Sequence, residues 1–156
     1  MIQIDIPNGP QLQLDYLVLD LNGTLAVDGV LIPGIAGRIA SLTQQLHIYL
    51  VTANTHGGGT AIAQEMGIQF TQLAPGPGGD QKDLFVQQLG SGAVIAVGNG
   101  ANDAAMLRTA ALGIAVNGAE GAAPSALSAA DVVTPSIHDA LDLLLNPDRL
   151  RATLRP

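Results

Sequence analysis

Tyr16-Leu17-Val18-Leu19-Asp20-Leu21-Asn22-Gly23-Thr24 is the stretch on which the reading of this chain turns. Four apolar residues in a row read as a buried strand, and that strand delivers the Asp20 carboxylate into a Gly-Thr turn. Open α/β sheets bind ligands at the carboxyl edge of their strands. Asp20 is therefore aimed where such a sheet does its chemistry.

Upstream, Ile2, Ile4 and Ile6 alternate with polar residues, Asn8-Gly9-Pro10 turns, and Leu12 and Leu14 alternate again. This predicts an amphipathic hairpin over 1–15. Downstream, Asp28-Gly29 between two apolar triplets marks a second, tight hairpin. Pro33-Gly34 opens a helix to about Leu46, and 47–51 is the next buried strand. Gly57-Gly58-Gly59 precedes a helix to Met66 that Gly67 caps, and 68–70 is a short strand. The breaker-rich loop 74–79 leads to a helix over 82–89, with Asp80 as its N-cap. Strand 93–97 runs into Gly98-Asn99-Gly100-Ala101-Asn102-Asp103 and a helix over about 104–110. Short strands at 114–116 and 132–133 and a helix over 137–145, stopped by Asn146-Pro147, complete the pattern. Strands alternating with helices predict an α/β fold with a parallel sheet. The chain reads as one domain over 1–156, with the hairpin 1–15, a core 16–146 and a C-terminal tail 147–156.

Of the 156 residues, 47% are hydrophobic and 12% charged, which excludes a disordered chain. Thirteen acids against six Lys plus Arg give a net charge of -7, and three arginines crowd the end at Arg149, Arg151 and Arg155. No basic stripe is left to follow a nucleic-acid backbone. There is no cysteine, no signal-peptide pattern and no apolar run of membrane-spanning length, so a cytoplasmic, membrane-free protein is expected.

Four segments should converge at strand ends: Asp20, Thr52, Lys82 and the loop 99–103. Lys82, the only lysine, falls one turn into a helix, where its ammonium and the backbone N–H groups favour anions. Two carboxylates, a hydroxyl and an ammonium suit Mg²⁺ with a phosphoryl group. In-line attack by Asp20 would give an aspartyl-phosphate. Asp103 can also be read as an N-cap, and Asn102 as a brace for its loop.

Taken together, these residues resemble the haloacid dehalogenase (HAD) superfamily of phosphatases and phosphotransferases over nearly the whole chain. The first motif is matched by Asp20-Leu21-Asn22-Gly23-Thr24, the second by Thr52, the third by Lys82, and the fourth by Gly98-Asn99-Gly100-Ala101-Asn102-Asp103. Within the superfamily the likeness is greatest to the phosphorylation domain of P-type ATPases, which Thr52-Ala53-Asn54 and Thr60-Ala61-Ile62-Ala63 also resemble. Neither a nucleotide-binding insertion nor a membrane region accompanies it, so a soluble, pump-less relative is implied.

The resemblance implies a three-layer Rossmann-like HAD core with a hairpin flap and no cap domain. It implies Asp20 as nucleophile, with Asn22 and Lys82 beside it in the catalytic set. Thr52, Ala53, Asn54, Lys82 and Asn102 would hold phosphate. Asp20, Asn22, Asn99 and Asp103 would hold Mg²⁺. Asn22 stands where many relatives carry an acid–base aspartate. An amide cannot move that proton, so a rate contribution of roughly 10²–10⁴-fold should be missing and the enzyme slow. The implied substrate is a phosphorylated small molecule or a phosphoprotein. Capless relatives often borrow a neighbouring subunit as a lid, so a homo-oligomer joined at the apolar hairpin edge 2–14 is a further expectation. The rival reading is a weakened scaffold that binds a phosphorylated ligand or a partner protein. Asn22-Gly23 and Asn99-Gly100 are also contexts prone to deamidation, which would regenerate an aspartate at either place.

Overall fold

The computed structural model describes residues 1–53 and 58–156. The chain opens with β1 (Ile2–Asp5) and β2 (Gln11–Leu14), an antiparallel hairpin in which Ile2 faces Leu14. β3 (Tyr16–Leu19) follows, then a small hairpin of β4 (Ala26–Val27) and β5 (Val30–Leu31). Its turn has Asp28 at φ 50° and Gly29 at φ 77°, both in the left-handed region that a two-residue hairpin demands. Next come α1 (Ala36–Leu42), β6 (His47–Thr52), α2 (Gly58–Met66), β7 (Gln69–Gln72) and α3 (Gly78–Leu89). β8 (Val94–Gly98), α4 (Ala104–Thr109), β9 (Leu112–Val116), α5 (Pro124–Ala129), β10 (Val132–Thr134), α6 (Ile137–Leu145) and α7 (Pro147–Thr153) complete it.

The central sheet has six parallel strands in the order β10-β9-β8-β3-β6-β7. Period-2 side-chain alternation splits the core into two layers. Leu17, Leu19, Leu50, Ile95, Val97 and Ile114 pack on one face with α1, α2, α6 and α7. Val18, Val51, Val94, Ala96 and Ala115 pack on the other with α3, α4 and α5. This is a Rossmann-like three-layer core. Helices change face where the chain returns from β7 to β8, so strand order reverses beside β3. Outside the carboxyl ends of β3 and β8 lies the crevice in which such sheets bind ligands.

Several element boundaries differ from the sequence reading. Gly34, at φ 84°, makes Pro33-Gly34 a turn, so α1 starts only at Ala36, and it ends at Leu42 instead of about Leu46. Gly58 and Gly59 lie inside α2, not before it. Pro77, not Asp80, is the N-cap of α3, and Asp80 falls in the first turn. The stretch expected as a tail carries α7, whose Leu150 is fully buried. Ile2, Ile4 and Leu14 are buried within the chain itself, with α7 against β1. The side chains of Ile2, Ile4, Ile6 and Leu14 are therefore covered within the chain, while Leu12 stays partly exposed. No inserted domain interrupts the flap or the short connection from β7 to α3. No helix among the described residues is long and apolar enough to cross a membrane.

Candidate active site

β3 ends at Leu19, and the backbone N–H of Asp20 still donates to Val97 O (3.0 Å), which fixes Asp20 against the end of β8. Beyond it the chain doubles back: the amides of Thr24, Leu25 and Ala26 all donate to Leu21 O, and Gly23 donates to Ala26 O (2.7 Å). α3 turns Lys82 and Val86, one helical turn apart, toward the sheet. Lys82 is only 1% exposed, and its ammonium finds two carboxylates, Asp20 Oδ1 at 2.7 Å and Asp103 Oδ1 at 2.6 Å. The second oxygen of Asp103 accepts from the N–H groups of Asn99 (3.0 Å) and Gly100 (2.8 Å). Asp103 stands at the N-cap position of α4, yet its carboxylate makes no cap bond there. It turns back into its own loop instead.

Two buried acids share one buried base, so the triad carries one excess negative charge. Burial pushes the Asp20 carboxyl up to about 6, and repulsion from Asp103 adds to this; Lys82 offsets only part. Burial alone would lower Lys82, but the two carboxylates outweigh it and hold the ammonium above its ordinary value. Adding a phosphate dianion would deepen the negative excess. A divalent cation is the natural counterweight. The donors around Asp20 are all oxygens, and no three His, Cys, Asp or Glu cluster as a cage among the described residues. That donor set fits Mg²⁺, which binds through one or two carboxylates and leaves its other positions to water and phosphate.

The Asn99 side chain is fixed at both ends of its amide. Its Nδ2 donates to Gly121 O (3.0 Å), and its Oδ1 lies 3.3 Å from the Thr24 hydroxyl, which is also 3.4 Å from Asp20 Oδ2. An aspartate could not make the first of these bonds. Two glycines make the packing possible. Gly23, at φ 78°, faces the Asn99 amide so closely that any Cβ would overlap it. At Gly98 a Cβ would lie 2.5 Å from the Asp103 carboxyl, so only glycine lets Asp103 tuck beneath the strand end.

A cavity of about 430 Å³ opens above the triad, lined by Asp20, Asn22, Thr52, Ala53, Lys82, Asn99, Gly100 and Asn102. Seven of the residues read as a site from sequence thus share one cavity. Asp103 does not line it; wholly buried, it braces Lys82 from behind. Asn54 lies outside the described residues. Both amides that would have to attack for deamidation are engaged, Gly23 N with Ala26 O and Gly100 N with Asp103 Oδ2, which opposes that expectation.

The family model of haloacid dehalogenase-like hydrolases matches residues 86–141, the segment that contains Gly98 through Asp103. The chain belongs to the haloacid dehalogenase-like superfamily. An uncharacterised protein of Methanocaldococcus jannaschii is 53% identical over 62 residues, covering 40% of this chain and 67% of that protein. The 3-deoxy-D-manno-octulosonate 8-phosphate phosphatase of Moraxella catarrhalis, in complex with magnesium, phosphate and KDO, is similar with a TM-score of 0.71 and 17% identity. That match covers 91% of this chain and 94% of the other. The cobalt-bound phosphatase of the same kind from Haemophilus influenzae matches with a TM-score of 0.70 at 13% identity, over 86% and 88% of the two chains. The catalytic domain of the CPx-ATPase CopB-B matches at 0.62 and 21% identity, over 74% of this chain and 46% of that one. At these identities the solved structures speak for a shared fold.

Three parts of this haloacid dehalogenase-like site were missed in the sequence. Thr24 was read as part of a turn, yet its fully buried hydroxyl joins Asp20 to Asn99. Gly100 lines the cavity. Glu120, in the loop after β9, accepts from the flap-tip N–H of Asp28 (2.9 Å) and reaches over Gly23. Its one signal was position, an acid in a loop at the carboxyl end of a parallel strand.

Proposed function

We propose that this haloacid dehalogenase-like protein is a Mg²⁺-dependent phosphohydrolase or phosphotransferase that works through an aspartyl-phosphate on Asp20. The buried Asp20–Lys82–Asp103 triad at the switch point of the sheet carries this reading. Lys82 holds Asp20 Oδ1, which leaves Oδ2, 3.4 Å from the Thr24 hydroxyl, as the oxygen assigned to attack. It attacks phosphorus in line, and the bond to the leaving oxygen breaks with its electron pair. Lys82 keeps Asp20 oriented and offsets its charge, while Thr52, Ala53 and Asn102, with Asn54 in the same motif, cradle the phosphoryl oxygens. Asp103 anchors the ammonium.

Mg²⁺ would be held by Asp20, Asn22 and Asn99, with Asp103 in support, and when bound supplies charge compensation to the phosphoryl group. The cavity has the size of a small-molecule site, which favours a phosphorylated small molecule over a phosphoprotein. Two of the similar structures are phosphatases named for such a compound, KDO 8-phosphate. Asn22 lines the cavity but cannot protonate a leaving group, so turnover is slow and selects acyl or aryl phosphates. The absence of cysteine fits work in a reducing cytoplasm. The same amide at position 22 favours the rival, a scaffold that binds a phosphorylated ligand without turning it over.

Incubation with Mg²⁺ and a chromogenic aryl phosphate separates the two. Release of the phenol that disappears in Asp20→Ala and on chelation supports the enzyme; no release, with phosphate still bound, leaves the scaffold.

A further inference from the structure

A second cavity, of about 260 Å³, shares no described residue with the one above the triad. Asn22 lines the first, whereas Gly23 and Thr24, the next two residues of the same turn, line the second. Val27 and Ile32 line it from the flap, and Val116 at the end of β9 and Ile137 at the start of α6 complete its apolar wall. These parts are tied to one another. The flap-tip N–H of Asp28 donates to Glu120 Oε1 in the loop after β9 (2.9 Å), and His138 Nε2 donates to Pro33 O beside Ile32 (2.7 Å). The chamber is thus formed in advance, as ligand sites usually are.

No Asp, Glu, Lys or Arg among the described residues lines this cavity. The three polar side chains described in its wall are engaged elsewhere. The Thr24 hydroxyl lies between Asp20 Oδ2 (3.4 Å) and Asn99 Oδ1 (3.3 Å), Ser136 Oγ accepts from Asp139 N (3.1 Å), and His138 holds Pro33 O. None of these partners lines the cavity. Water needs two to four polar partners to stay in such a place, and an apolar cavity of about 150 Å³ stays dry and takes up benzene. A charged ligand would lose its hydration there without compensation.

We propose that this cavity is a binding site for a neutral, apolar aromatic ligand about the size of two fused rings, separate from the phosphoryl site. Such binding does not depend on phosphoryl transfer at Asp20. The ligand rests against Gly23 and Thr24, in the turn that holds the nucleophile. Gly118 gives the means of blocking it. A Cβ there would meet Val116 Cγ1 at 3.7 Å and Pro135 O at 3.9 Å, ordinary contacts, so a larger side chain enters the cavity without displacing backbone.

The whole chain, labelled at its Ile, Leu and Val methyl groups, is titrated with N-methylindole, a bicyclic probe with neither charge nor donor. The methyl signals of Val27, Ile32, Val116 and Ile137 should shift and saturate together. Those of Leu84 and Val133, exposed on other surfaces, should stay in place. The same ring carrying a carboxylate should move none of them. Gly118→Leu should abolish the shifts, and so should Ile32→Trp, which fills the cavity from the flap; a native methyl spectrum shows which variant has folded, and either one suffices. Absence of saturable shifts at the four wall residues would overturn the proposal. So would equal shifts at Leu84 and Val133, equal binding of the carboxylate, or undiminished binding by a folded, cavity-filled variant.

Discussion

Replacing Lys82 by methionine tests the electrostatic design of the site. The side chain keeps most of its length and its apolar stem, but the ammonium 2.7 Å from Asp20 and 2.6 Å from Asp103 is gone. Two carboxylates, 6% and 0% exposed, then face each other without a counter-charge. Breaking a buried pair by removing one partner costs about 3–5 kcal/mol. With a urea m-value of about 2 kcal/mol/M, the unfolding midpoint should drop by about 1.5–2.5 M at pH 8 without metal. The sign of the pH dependence follows from Asp20. Its folded-state pKa of about 6 lies above the ordinary value of 3.8, so between those values the folded protein binds more protons than the unfolded one. Stability therefore falls as pH rises through this window. Without Lys82 the Asp20 pKa climbs further, and the gap between variant and wild type should widen from pH 5 to pH 8. Equal midpoints at pH 8, or a gap that does not depend on pH, would refute a buried ammonium placed between two carboxylates.

Asn99→Asp should not repair the site. It forfeits the bond to Gly121 O and sets a carboxylate against that carbonyl, a cost of about 1–3 kcal/mol that calorimetry would read as a melting point lower on the order of 5 °C. Asn22→Asp should do the opposite for activity, because a new acid faces the cavity: alkyl phosphates should gain about 10²-fold in kcat/KM and activated aryl phosphates much less, as steady-state assays on both classes would show. Neither Asn22 nor Asn99 should deamidate on storage, since the attacking amides of Gly23 and Gly100 are bonded; peptide masses unchanged after ageing at neutral pH would bear this out.

What sequence alone disclosed, and what it hid, follows physical lines. β3 was plain because a parallel strand covered on both faces must be apolar throughout, and its polar successor had to stand at the sheet edge. α6 was legible to the residue, with a Ser136 cap that accepts from Asp139 N and an amphipathic stripe closed by Asn146-Pro147. α5 escaped notice because its Ala and Ser side chains give no apolar contrast around the helix, so only packing against the sheet defines it. The N-cap of α3 was misread because Asp80 has the right chemistry, but Gly78 and Gly79 let the helix start earlier, against Asn102. The convergence of Asp20, Thr52, Lys82 and Asn99 followed from strand ends. Burial of Asp103 behind Lys82, and the reach of Glu120 across the flap, depend on loop paths that local residue pattern does not encode.

Chemical trapping of the nucleophile tests the account most directly. The protein is mixed with Mg²⁺ and acetyl phosphate, quenched in acid and treated with borohydride, which reduces an acyl phosphate to the alcohol; the peptide spanning 16–24 is then sequenced by mass spectrometry. Homoserine at position 20, absent when Mg²⁺ or acetyl phosphate is omitted, is the predicted result. An unmodified Asp20 in a sample that consumes acetyl phosphate, or reduction at any other carboxylate, would contradict it.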